Sequence, residues 1–83
     1  MAQYYALEKI QSGEVIYRKL FKNLEDAQEV MKMQYLETLG NIDPENANYK
    51  RFQAHAYINL YLPDNPFGYN INFEWNIDEI ETI

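Results

Sequence analysis

Cysteine is absent from this 83-residue chain, which removes disulfides, thiolate nucleophiles and zinc–thiolate sites together. Histidine and serine occur once each, as His55 and Ser12. Ser12 fits a glycine-containing turn and His55 an extended strand, so a Ser-His-acid relay would need those two places to converge. A histidine-based metal site lacks a second histidine, and no acidic spacing suits calcium. The glycines Gly13, Gly40 and Gly68 lie far apart, so there is no phosphate-cradling loop; each fits a turn or a helix end. No apolar run approaches the roughly 20 residues of a membrane span, and the N-terminus lacks a basic-then-apolar leader pattern. There is no Asn-x-Ser/Thr sequon. The expectation is a cytoplasmic protein that binds no membrane and needs no cofactor.

Basic residues are missing from one stretch. Residues 64–83 hold Asp64, Glu74, Asp78, Glu79 and Glu81 with no Lys or Arg, whereas residues 1–63 nearly balance eight acids against seven bases. Of the net charge of -6, five units therefore sit in the last quarter of the chain. Such a chain is repelled by phosphate backbones and anionic lipid, which disfavours direct nucleic-acid binding. Residues 78–83 read as a frayed acidic tail that either aids solubility or docks on a basic partner. Apolar content is ordinary, and the length suits a single domain with one modest core.

What is present is a strong alternation of period two between Phe52 and Ile77. The apolar set Phe52, Ala54, Ala56, Ile58, Leu60 and Leu62 alternates with Gln53, His55, Tyr57, Asn59 and Tyr61. After a loop over residues 63–68 the parity reverses, with Tyr69, Ile71, Phe73, Trp75 and Ile77 apolar against Asn70, Asn72, Glu74 and Asn76. One antiparallel register accounts for both faces. It pairs Leu62 with Tyr69, Leu60 with Ile71, Ile58 with Phe73 and Ala56 with Trp75. On the other face it pairs Tyr61 with Asn70, Asn59 with Asn72, Tyr57 with Glu74 and His55 with Asn76.

Upstream, Tyr4–Ile10 and Glu14–Phe21 read as a hairpin around Ser12-Gly13. A two-residue turn sets Tyr5, Leu7, Ile16 and Leu20 on one face and Tyr4, Ala6, Glu8, Tyr17, Lys19 and Phe21 on the other. The aliphatic set is assigned to the core, because tyrosine tolerates water better than leucine. Asn23 reads as an N-cap with Asp26 three residues on, opening a helix over residues 24–39 that ends at Gly40. Leu24, Ala27, Met31, Tyr35, Thr38 and Leu39 form its inward stripe. Glu25, Asp26, Glu29, Lys32 and Glu37 face out with Met33 and Leu36, a small candidate contact patch. Residues 41–51 read as a connection in which Asp43 caps a helical turn begun by Pro44. Asn76, Asp78 and Glu79 resemble another cap, with Ile77, Ile80 and Ile83 lining a short terminal helix.

The predicted fold is α+β: a two-layer ββαββ domain with a four-stranded, mainly antiparallel sheet and one main helix packed on one face. The other sheet face is left open and presents Tyr57, Tyr61, Asn59, His55, Asn70, Asn72 and Glu74, extended by Tyr4 and Tyr17. Tyrosine area bearing a hydroxyl, mixed with amide donors and acceptors, is the composition of a wettable contact surface. These residues are the candidate partner-binding site, for a protein partner or for a homodimer, with no catalytic residue assigned. His55 would make such an association pH-sensitive if the partner covers it. Small size, acidity and absence of cysteine also suit a phage or mobile-element accessory protein. That allows an inhibitor whose carboxylates Glu74, Asp78, Glu79 and Glu81 imitate DNA phosphates, of the nuclease-inhibitor or anti-CRISPR kind. A third reading is a small ligand-binding protein or enzyme using Glu74, His55 and Tyr57.

Overall fold

The structure is a computed structural model that describes residues 2–61 and 70–82. Its elements are β1 (Ala2–Gln11), β2 (Glu14–Phe21), α1 (Leu24–Gly40), a 3-10 turn (Pro44–Asn46), β3 (Ala47–Arg51), β4 (His55–Leu60) and β5 (Ile71–Thr82). They form one antiparallel sheet in the order β2-β1-β5-β4-β3, with α1 packed on one face. The α+β architecture is as expected, but the sheet has five strands, not four.

The additional strand is β3, which pairs Tyr49 with Ile58 and Arg51 with Ala56 where the sequence reads as a connection. Its residues, Ala-Asn-Tyr-Lys-Arg, include one strong strand former, and the pairing partner β4 supplies the ladder that propensity does not. The 3-10 turn before it is capped as expected: the Asp43 side chain accepts from the Glu45 N–H at 3.0 Å, with Pro44 at the first position.

β4 and β5 adopt the predicted register, pairing Leu60 with Ile71, Ile58 with Phe73, Ala56 with Trp75, Tyr57 with Glu74 and His55 with Asn76. The expected Leu62–Tyr69 pair and the 63–68 loop lie outside the described residues. β4 starts later than the alternation suggests, at His55, because the Phe52 N–H turns back to the His55 carbonyl at 2.7 Å. Phe52 and Ala54 are consequently exposed rather than core.

β5 continues to Thr82 where a short terminal helix is predicted. Asp78 pairs with Ala6, Ile80 with Tyr4 and Thr82 with Ala2, so β1 supplies a complete ladder to the end of the acidic stretch. Two turns of helix without tertiary packing are marginal, and a strand with a long partner wins. β5 is therefore the central strand, and the acidic segment 78–82 is part of it.

The first hairpin departs from the expected facing at a single residue. Ser12 (φ 50°) and Gly13 (φ 88°) form the expected two-residue turn, both in the left-handed region that such turns demand. The register then slips by one: Ile10 pairs with Val15 but Lys9 pairs with Tyr17, leaving Ile16 as a bulge. Because side chains alternate, one unpaired residue reverses the facing of everything after it. Tyr17 and Phe21 turn toward α1 and pack on the core, while Ile16 and Leu20 are 49% and 54% exposed. Of the expected aliphatic set, Leu7 is fully buried and Tyr5 packs against the core.

α1 begins where predicted. The Asn23 side chain accepts from the Asp26 N–H at 2.8 Å and donates to the Asp26 carboxylate at 2.9 Å. It ends one residue later than predicted, with Gly40 inside the helix and Asn41 as the cap, its amide donating to the Glu37 carbonyl at 2.9 Å. Ala27, Met31 and Tyr35 are its buried stripe; Leu39 packs on the core from its edge and Leu24 is partly exposed. Met33 and Leu36 face solvent as expected.

The core comprises Leu7, Ala27, Met31, Tyr35, Ala56, Ile58, Trp75 and Ile77. Trp75 is fully buried, meets Tyr35 edge to face at 5.9 Å, and donates its indole N–H to the Gln34 side-chain carbonyl at 3.1 Å. The Lys9 ammonium closes one end of the core, 5.2 Å from the Trp75 ring centre, 5.4 Å from that of Phe73, and donating to the Thr38 hydroxyl at 3.4 Å.

Trp75→Ala is expected to cost about 3–5 kcal/mol in a denaturant titration, the usual range for emptying a large aromatic site. An unaltered unfolding midpoint would show that Trp75 is not the centre of the core. Burial raises the Tyr35 phenol above its ordinary value of 10.0, with Tyr49 and Tyr57 reinforcing the shift and Arg51 opposing it. The folded state thus holds this proton more tightly than the unfolded chain does, so the contribution is intact below about pH 10 and lost as pH rises through the folded value. Melting temperatures above pH 10 should fall more steeply for the wild type than for Tyr35→Phe, in which that ionisation is gone.

Candidate functional site: the open sheet face

Alternation along β4 and β5 decides which side chains face away from α1. With Ala56, Ile58, Trp75 and Ile77 committed to the core, His55, Tyr57 and Asn59 project from the other face of β4. Asn72, Glu74 and Asn76 do so from β5. The structure thereby brings together five of the seven predicted residues: His55, Tyr57, Asn59, Asn72 and Glu74. Tyr61 and Asn70 are exposed and lie just past the ends of β4 and β5; the Tyr61 N–H donates to the Asn46 carbonyl at 2.8 Å. Of the two proposed extensions, Tyr4 shares the face, paired with Ile80. Tyr17 does not, because the bulge at Ile16 turns it toward α1.

Three of these residues form a small polar network. His55 Nδ1 lies 2.7 Å from Asn76 Oδ1, and Asn76 Nδ2 donates to Glu74 Oε1 at 3.4 Å. Because an ionised Glu74 carboxylate only accepts, it fixes the amide with its nitrogen toward Glu74 and its oxygen toward His55. Nδ1 must then carry the proton, leaving Nε2 as the acceptor of the neutral ring. The Glu74 carboxylate is itself 3.8 Å from Nδ1, and the imidazole stacks on Phe52 at 6.1 Å and tilts against Tyr57 at the same separation. Phe52 in turn carries the Lys50 ammonium 4.9 Å from its ring centre.

β3 adds residues that the sequence reading does not assign to the face. Asn48 pairs with Asn59, which pairs with Asn72, so three asparagines stand in one row across three strands. Lys50, opposite Tyr57, stands at the end of the row that includes Glu74. The signal that would have found them is the alternation Asn48-Tyr49-Lys50, too short to separate from a connection. On the β1 side the face carries Glu8 and Arg18, an ion pair at 3.3 Å, beside Ile10, Val15 and Leu20.

Concave space lies elsewhere. One groove of about 490 Å³ is lined by Gln28, Met31, Arg51, Phe52 and Gln53, and another of about 330 Å³ by Lys9, Gln34, Glu37, Thr38, Asn41, Ile42 and Phe73. Both sit where α1 meets the sheet, and Glu74, His55 and Tyr57 line neither. Among the described residues no three His, Cys, Asp or Glu side chains converge in a metal-holding group, and no helix is long and apolar enough to cross a membrane.

Compared with protein families, with curated proteins and with solved structures, the chain matches none of them.

The network makes a prediction accessible to NMR. Long-range nitrogen–proton correlation spectra of the neutral His55 ring are expected to show the Nδ1–H tautomer, and Asn76→Ala should shift the equilibrium toward the Nε2–H form common in free imidazoles. An Nε2–H ring in the wild type would overturn this hydrogen-bond assignment.

Proposed function

We propose that this chain is a small non-enzymatic interaction protein that binds a protein partner, or a second copy of itself, through the open face of its sheet. One observation carries the reading: among the described residues α1 covers a single face, and the other sets Tyr57, Asn59, His55, Asn72 and Glu74 side by side on adjacent strands in one register. Such a surface offers rigid aromatic area and many amide donors and acceptors and lines neither groove, which suits a broad protein contact better than a small ligand. The row Asn48, Asn59 and Asn72 widens it toward β3.

The DNA-mimic reading draws less support. Alternation divides the four carboxylates, sending Glu74 and Asp78 to the open face and Glu79 and Glu81 to the helix side. A mimic would gather its charges along one surface. The ligand-site reading draws little as well, since Glu74, His55 and Tyr57 lie outside both grooves.

Tyr57→Glu combined with Tyr61→Glu should abolish capture of the native partner, or dimer formation, while leaving the circular dichroism spectrum and melting temperature close to wild type. A folded double variant that binds and sediments as the wild type does would end this reading. Affinity that collapses with added salt while remaining indifferent to the tyrosines would favour charge mimicry instead.

A further inference from the structure

We propose that copies of this chain also associate edge to edge, the basic outer edge of β2 in one copy meeting the acidic outer edge of β5 in the next. The contact uses the margins of the sheet and not its open face, so it stands or falls separately from the function proposed above.

Among the described residues the free strand margins are β2, β3, Ala2–Tyr4 of β1 and the part of β5 beyond Asn76, and two of them, β2 and β5, carry opposite charge. β2 is paired only with β1, so the outward row of N–H and C=O groups along its eight residues has no strand beside it. β5 is flanked by β4 only to Asn76, after which the Ile77 N–H donates to the Ala54 carbonyl at 2.9 Å. Beyond that point Asp78–Thr82 has β1 on one side and no strand on the other. β2 in turn ends at Phe21, opposite Tyr5, so Ala2–Tyr4 and Ile80–Thr82 extend as a two-stranded ribbon past the rest of the sheet.

The charges on these margins are opposite. Arg18, Lys19 and Lys22 occupy β2 and the residue following it, against the single acid Glu14 at its start. Asp78, Glu79 and Glu81 occupy the free part of β5, with no base. Alternation distributes both sets over both sides of the sheet: Arg18 and Asp78 on the open face, Lys19, Glu79 and Glu81 on the helix side. Pairing β2 with β2, or β5 with β5, would set like charges opposite one another, which is unfavourable; pairing β2 with β5 sets unlike charges opposite on both sides. Edge charges and bulges commonly serve to prevent pairing, and β2 has both, through Arg18, Lys19 and the bulge at Ile16; the opposite sign of the β5 margin is what turns that charge barrier into an attraction. β2 is eight residues long, contains no proline, and exposes the aliphatic side chains of Val15, Ile16 and Leu20. β3 is a second basic margin, through Lys50 and Arg51, and the control variant tests it.

Because the two surfaces in contact differ, the association is heterologous and propagates into a ring or filament. A self-association through the open face would be isologous and stop at a dimer. Sedimentation velocity of the full chain over a concentration series tests the difference, using three charge-reversed variants checked for folding by circular dichroism. The first, Lys19→Glu with Lys22→Glu, spares the Glu8–Arg18 pair. The second is Glu79→Lys with Glu81→Lys, and the control is Arg51→Glu, on the helix side of β3 and off the open face. Species beyond the dimer are expected for the wild type and the control, with association weakened on the order of tenfold in each of the first two variants alone. An equimolar mixture of those two should restore it, since each then meets an edge of opposite sign. If a reversed pair fails to fold, the neutral pairs Lys19→Gln with Lys22→Gln and Glu79→Gln with Glu81→Gln replace it and should weaken association by a smaller factor. A wild type that stays monomeric or stops at a dimer, a mixture that restores nothing, or loss only in the β3 control would overturn the proposal.

Discussion

The structure depends on one large ring finding room. Trp75 sits in the central strand, and it can be fully buried there because its cross-strand neighbour is Ala56. The small side chain of Ala56 leaves room beside the indole, while Met31 and Tyr35 close over the same buried cluster from the helix. A ring of this size also carries a donor that must not be stranded, and Gln34 provides the acceptor. Once this site is committed, the facing of β4, β5 and α1 follows from alternation and helical period, and the polar side of the sheet is what remains.

How much of this was legible in the residues differs from one hairpin to the other. Along His55–Leu60 and Ile71–Asn76 the alternation is matched across two strands, so the register and both faces could be read there, whereas Phe52 and Ala54, expected in the core, lie before β4 and are exposed. The start of the helix and its Ala27-Met31-Tyr35 stripe could be read as well, from the cap and the period, while its end falls one residue past the expected place. The first hairpin could not, because a single bulged residue at Ile16 exchanges the faces of β2, and a bulge leaves no compositional mark when every neighbour is strand-forming. The consequence is visible in the candidate site: Tyr4 keeps its place on the open face and Tyr17 loses it. β3 was hidden for another reason. Its five residues acquire strand geometry from β4, a long-range contact that no local pattern announces. The cap-like Asn76-Ile77-Asp78-Glu79 was misleading because the same residues satisfy the alternation of β5, and pairing with β1 decides between the two.

The fold also sorts charge in a way composition alone conceals. β5 holds acids and no base, while five of the seven basic residues lie on or beside the marginal strands β2 and β3. The excess negative charge of the chain is thus a property of its middle strand. On the open face this gives a graded surface: aliphatic Ile10 and Val15 toward β2, Glu74 and the asparagines at the centre, Tyr57 and Lys50 toward β3.

The position of β5 has a consequence for how the molecule comes into being. The β1–β2 and β3–β4 hairpins are each local in sequence, yet in the finished sheet they share no ladder; both are hydrogen-bonded to β5, the last strand in chain order. Until β5 is laid between them the two hairpins have no shared ladder, and an isolated two-stranded hairpin is only marginally stable in water. Joining them means closing loops that run from residue 2 to residue 82, the kind of distant pairing that slows folding. During that interval the margins that β5 will occupy, on β1 and on β4, are bare, and the chain is at its most vulnerable to pairing with a neighbour.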